Sequence, residues 1–145
     1  MKPYLTSFLT SESVTHLSTF NLGDTASGKS FTFRAPTTGL LYQTLNIVQE
    51  LTKTVTVHEI IGKDLNLLCL ISGGKDYAKN IEETINKTIG MRGGNQMSSS
   101  CSIYSLVVTI QLSNDKVIKM FDLRGPERMS KGGDAKARKE CLAIN

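Results

Sequence analysis

The sequence has no tryptophan, and only three cysteines and three prolines occur among its 145 residues. Each shortage closes off a class of protein. Cys69, Cys101 and Cys141 are odd in number and sit at no metal-ligand spacing, which argues against a disulfide framework and against a zinc module. No apolar run approaches the roughly 18 residues that a membrane-spanning helix needs. The opening stretch, MKPYLTSFLTSESVTH, turns polar within a few residues, unlike a secretory leader. There is no internal repeat and no long low-complexity tract. The expectation is a soluble intracellular protein with no membrane contact. What is present, 39% hydrophobic and 21% charged residues, suits a packed core and one domain over 1–145 rather than two.

The net charge of +4 is unevenly placed. Residues 1–112 hold nine Lys/Arg against eight Asp/Glu (net +1), and residues 113–145 hold eight against five (net +3). A basic final third fits an acidic partner, and on charge alone nucleic acid and an acidic protein surface both qualify. A solvated polar tail explains the same residues equally well.

Strand signals come from β-branched runs. Thr54–Ile61 alternates and then turns apolar, and Leu106–Leu112 is nearly continuously apolar, as in a strand covered on both faces. Val117–Phe121 follows the turn-rich Ser113-Asn114-Asp115-Lys116, so these two strands are expected to pair as a hairpin. A shorter strand is expected around Leu17–Leu22. Two helices are legible. Leu41, Leu45 and Val48 share a stripe between Leu40 and Leu51, with Pro36 and Gly39 marking the approach. Ile81, Ile85 and Ile89 share another between Tyr77 and Ile89, with Asp76 as N-cap and Gly90 as stop. Met91–Ser102 is too rich in Gly, Asn and Ser for regular structure, and a loop of that length inside a domain usually has a function. Strands alternating with helices give an α/β class.

Gly23-Asp24-Thr25-Ala26-Ser27-Gly28-Lys29-Ser30 fits G-x-x-x-x-G-K-[ST] in full. The glycines let backbone N–H groups turn inward around phosphate oxygens, and the start of a following helix adds partial positive charge. Lys29 would neutralise the outer phosphates and the Ser30 hydroxyl would bind Mg²⁺. A glycine-rich surface turn is the plainer alternative. Asp122-Leu123-Arg124-Gly125 ends the Val117–Phe121 strand, where a D-x-x-G nucleotide sensor must lie. There Asp122 would reach the metal through water and the Gly125 N–H would meet the γ-phosphate.

These residues together resemble the kinesin motor family. Gly23–Phe33 (GDTASGKSFTF) is similar to its phosphate loop, GQTGSGKTYTM, and Asp122–Lys131 (DLRGPERMSK) to its second switch, DLAGSERxSK. Asn95–Ser99 resembles the start of its first switch, N-x-x-S-S-R-S-H, while Glu59–Lys63 and Cys141–Asn145 echo further stretches in the family's order. The resemblance implies a P-loop NTPase with a mixed central sheet flanked by helices, incomplete at both ends. It implies a phosphate loop at 23–30, a first-switch-like loop at 90–102 and a second switch at 122–128. It also implies ATP and Mg²⁺ as cofactors, microtubules rather than nucleic acid as partner, and a cytoplasmic, cytoskeletal location. Ser98 or Ser99 would touch phosphate or metal, and Glu127 would position the proton relay of the attacking water. The departures are specific. The family's adenine-holding segment and its later microtubule-contacting helices have no counterpart, and Ser100 or Cys101 stands where the first-switch arginine would pair with Glu127. Hydrolysis is therefore expected to be slow or absent. Two other classes stay open: a GTPase or nucleotide kinase, although Asn86-Lys87-Thr88-Ile89 lacks the aspartate of a guanine reader, and a non-enzymatic binding fragment. His16 and His58 have no ligand-spaced partners, and Glu82 and Glu83 read as a solvated helix face.

Overall fold

A computed structural model describes residues 2–22, 28–35, 37–61, 64–72, 77–91 and 105–123, with the backbone alone at 29–30, 61, 78 and 86–91. The β-branched runs form strands where the pattern predicts them: β1 (His16–Asn21), β2 (Thr52–Ile61), β4 (Ser105–Leu112) and β5 (Val117–Asp122), joined by β3 (Asp64–Ser72). They make one mixed sheet in the order β1-β5-β4-β2-β3. β1 runs parallel to β5, and the other neighbours are antiparallel. β4 is the middle strand, which is why it reads as almost unbroken apolar chain.

The expected β4–β5 hairpin is present. Its turn closes with the Leu112 N–H donating to the Lys116 carbonyl at 2.8 Å and the Asp115 N–H to the Leu112 carbonyl at 3.2 Å. Asp115 takes a left-handed φ of 61°, the conformation that three-residue hairpin loops need at this point.

The helices are α1 (Lys2–Thr10), α2 (Lys29–Arg34), α3 (Leu40–Val48) and α4 (Tyr77–Met91), with a 3₁₀ turn at Gln49–Leu51. α3 thus ends earlier than its periodicity suggests, in a tighter last turn. α4 runs through Gly90 rather than stopping there, so the glycine is not the break expected of it. Asp76 and Pro36 lie outside the described residues.

All four helices send side chains into one core. Leu5 and Phe8 of α1, Phe33 of α2, Leu41, Tyr42, Leu45 and Val48 of α3, and Tyr77, Ile81 and Ile85 of α4 meet Val55, Val57, Val108, Ile110, Ile118 and Met120. The strand residues in that list alternate along each strand and pair across the sheet, so they mark a single face. On the opposite face Phe20 stacks on Phe121 with ring centroids 4.6 Å apart, and Phe20 remains 58% exposed.

Two elements give little signal in the sequence. α1 contains three Thr/Ser and only a short apolar stripe, and β3 carries exposed leucines on both sides of a register shift opposite Val57/His58. α1 is fixed instead by a remote residue. The Lys116 ammonium is buried and donates to the carbonyls of Phe8 (3.0 Å), Ser11 (2.6 Å) and Val14 (2.6 Å), lying over the Phe8 ring as well. A cation at the C-terminal end of a helix meets carbonyls that have no partner within the helix.

Candidate functional site

β1 and β5 are parallel neighbours and end level with each other, with Asn21 paired to Asp122. The glycine-rich loop leaves β1 directly after this point, and α2 begins at Lys29 and packs against the ends of both strands. The two strand ends, 101 positions apart in sequence, lie side by side, so the segments that carry the two motifs both leave from the carboxyl end of one parallel strand pair. Open α/β sheets characteristically bind ligands at that end.

Of the loop, Gly28 is described. Its φ of 78° and ψ of 12° lie in the left-handed region, and a Cβ there would meet no atom within 4 Å. Glycine is thus favoured at position 28 by backbone conformation, not by crowding. The Gly28 carbonyl accepts from the Thr32 N–H at 2.9 Å and from the Thr32 hydroxyl at 3.1 Å, which starts α2. Lys29 and Ser30 form the first turn of that helix. α2 has only six residues, so its dipole is small.

Asp122 is the best-defined member of the site. Its side chain is 3% exposed, on the helix-covered face of the sheet. Asn21 Nδ2 donates to Oδ1 at 2.9 Å, and Arg34 Nε, from the last turn of α2, lies 3.3 Å from Oδ2 in an ion pair. The Leu123 N–H donates to the Asn21 carbonyl at 3.3 Å and extends the ladder one residue past the strand. Arg34 also faces Tyr42 of α3. Burial pushes the Tyr42 phenol up to about 12, Glu82 of α4 adds to the rise, and Arg34 opposes it. The end of β5 is thus linked electrostatically to α2, α3 and α4.

The other expected site residues, Gly23, Asp24, Thr25, Ala26, Ser27, Ser98, Ser99, Gly125 and Glu127, lie outside the described residues. Asn21 and Arg34 carry no motif, and sequence reasoning passes over both. Only the parallel β1–β5 pairing reveals them, because it places residue 21 beside residue 122. Among the described residues no group of three or more His, Cys, Asp or Glu could hold a metal. As held by Asn21 and Arg34, the Asp122 carboxylate has a partner on each oxygen.

No protein-family model matches the chain, and no curated protein sequence does. Solved structures do. The C-terminal motor domain of Kar3 from Candida glabrata aligns with 89% of this chain at a TM-score of 0.61 and 17% identity. The fold is kinesin-motor-like. The chain spans about half of that motor domain, 53% of its length. A kinesin motor ATPase, solved as mutants that reveal a signalling pathway for its activation, aligns over 90% of this chain and 51% of its own at 16% identity, with a TM-score of 0.47. The kinesin-like likeness agrees with the five-stranded mixed sheet and its flanking helices. Among the described residues no helix is long and apolar enough to cross a membrane.

Proposed function

We propose that the chain is a kinesin-like ATP-binding domain that grips the triphosphate of ATP with the loop 23–30 and senses it through the loop that follows Asp122. The observation that carries this reading is the parallel pairing of β1 with β5, which brings the exits of both strands together at Asn21 and Asp122. In this reading the main-chain N–H groups of Gly23–Gly28 wrap the phosphate oxygens and Lys29 supplies the principal positive charge. Ser30, Ser98 and Ser99 offer hydroxyls to the phosphates. The Gly125 N–H meets the terminal phosphate, so its loss on hydrolysis frees the loop after β5 to move. Glu127 orients the proton relay of the attacking water. With no arginine at position 100 or 101 to pair with it, turnover is slow.

Microtubules are the proposed partner, and the cytoskeleton the proposed location. The fold likeness to a Kar3 motor domain supports both, as does the basic set Arg124, Arg128, Lys131, Lys136, Arg138 and Lys139.

Calorimetry with ATP and with GTP tests the nucleotide claim. The parent is expected to bind ATP in preference to GTP, and Lys29→Ala to lose binding by about a hundredfold or more, the scale of a removed charge-assisted contact. Equal affinity in parent and variant would remove the phosphate-loop assignment. Co-sedimentation with microtubules tests the partner separately, and a chain left wholly in the supernatant refutes it.

A further inference from the structure

Asp122 is where the expected chemistry and the observed geometry part, and the inference drawn from it rests on the nucleotide reading above. We infer that Arg34 holds Asp122 in the place of a hydrated divalent cation, so that this site takes the triphosphate of its nucleotide with little dependence on Mg²⁺.

A carboxylate that helps to bind a phosphate-bridging metal must turn an oxygen toward the metal's water shell. Here Oδ1 accepts from Asn21 at 2.9 Å, Oδ2 lies 3.3 Å from Arg34, and the side chain is 3% exposed. Neither partner is on a loose segment. Asn21 is the last residue of β1 and is paired directly with Asp122, and Arg34 is the last residue of α2, packed beneath the same strand ends. Among the described residues Asp122 is the one carboxylate within ion-pair range of Arg34, whose Nε is buried without any other partner. Pulling the carboxylate toward a metal would therefore strand a guanidinium that is only 20% exposed.

The consequence for binding follows from charge. The Asp122 negative charge is already neutralised from within the protein. A divalent cation arriving with the nucleotide would find the Asp122 carboxylate already held and would meet the repulsion of Arg34. The main-chain amides and Lys29 are left to offset the phosphate charge, and they do so whether or not the nucleotide carries a metal.

The test titrates the chain with a fluorescent N-methylanthraniloyl ATP, once with excess Mg²⁺ and once with EDTA, for the parent and for Arg34→Gln. The parent's affinity is expected to change by less than about threefold on chelation. Arg34→Gln, which frees Asp122, is expected to bind about tenfold more tightly with Mg²⁺ than without it. A parent that loses about tenfold or more on chelation overturns the inference while leaving nucleotide binding intact. A folded Arg34→Gln chain that binds yet stays indifferent to Mg²⁺ overturns the role given to Arg34. Absence of binding by the parent under both conditions removes the nucleotide reading itself. Should Arg34→Gln fail to fold, as its circular dichroism would show, the parent's response to chelation still decides between the first two outcomes.

Discussion

A methyl group at position 39 would sit 2.6 Å from the Phe33 carbonyl oxygen, 2.7 Å from the Ala35 nitrogen and 2.9 Å from the Ala35 oxygen. All three are backbone atoms at the end of α2, so none can swing aside. The Gly39 N–H also donates to the Ala35 carbonyl at 2.8 Å, which clamps α3 against α2. Gly39→Ala is expected to destabilise the fold by about 2 kcal/mol, the usual scale of overpacking against rigid neighbours, and a urea midpoint measures it. Tyr42 gives a pH signature. Its folded-state pKa, about 12, stands above the ordinary value of 10.0, so an unfolded chain loses the phenol proton first as pH rises. The stabilising contribution is complete below pH 10 and disappears as pH climbs from 10 toward 12. Tyr42→Phe should flatten that part of the alkaline unfolding curve, and an unchanged slope would rule the phenol out as its source. At this scale the sequence discloses Asp122, because a D-x-x-G at a strand end is a recognisable string. It hides Asn21 and Arg34, because their importance comes from a contact 101 positions along the chain and from one helix turn packed beneath it.

Elements whose own residues carry the periodic signal are legible, and those held by distant partners are not. α4 repeats isoleucine at helical spacing, and β4 is mostly apolar because it has neighbours on both sides. β3 mixes exposed and half-buried leucines across a register shift, which destroys the alternation expected of a strand. α1 depends on Lys116, whose side chain reaches from the far hairpin to the carbonyls of Phe8, Ser11 and Val14. Lys116→Met keeps the aliphatic stem but leaves those carbonyls without their donor. It should cost about 2–4 kcal/mol, in line with losing several charge-assisted hydrogen bonds from a buried position. Amide exchange should accelerate in residues 2–10 before it does in β4, and uniform acceleration across both would show that α1 is not separately tethered.

At the scale of the molecule, the helices of the described residues gather on one face of the sheet, and a single core joins them. One core predicts one cooperative thermal transition. ATP at about a hundred times its dissociation constant should raise the stability of that transition by roughly 2.7 kcal/mol, and GTP at the same concentration should raise it less. A broad, non-cooperative melt indifferent to either nucleotide would favour a fragment that cannot complete a fold alone. The α/β class and the hairpin can be reasoned out from the sequence. The strand order cannot, because β1 finds its neighbour in the last described strand rather than in the next one.

That ordering has a consequence for synthesis. Translation delivers β1 early, yet the strand it pairs with is among the final described residues to leave the ribosome. Throughout that interval the nascent chain exposes an unsatisfied backbone edge together with Phe20 and Leu22, a sticky combination for any other growing polypeptide nearby. Maturation of the sheet is therefore timed by the arrival of β5, and a premature stop codon upstream of Val117 would yield a product fated for chaperones or proteolysis.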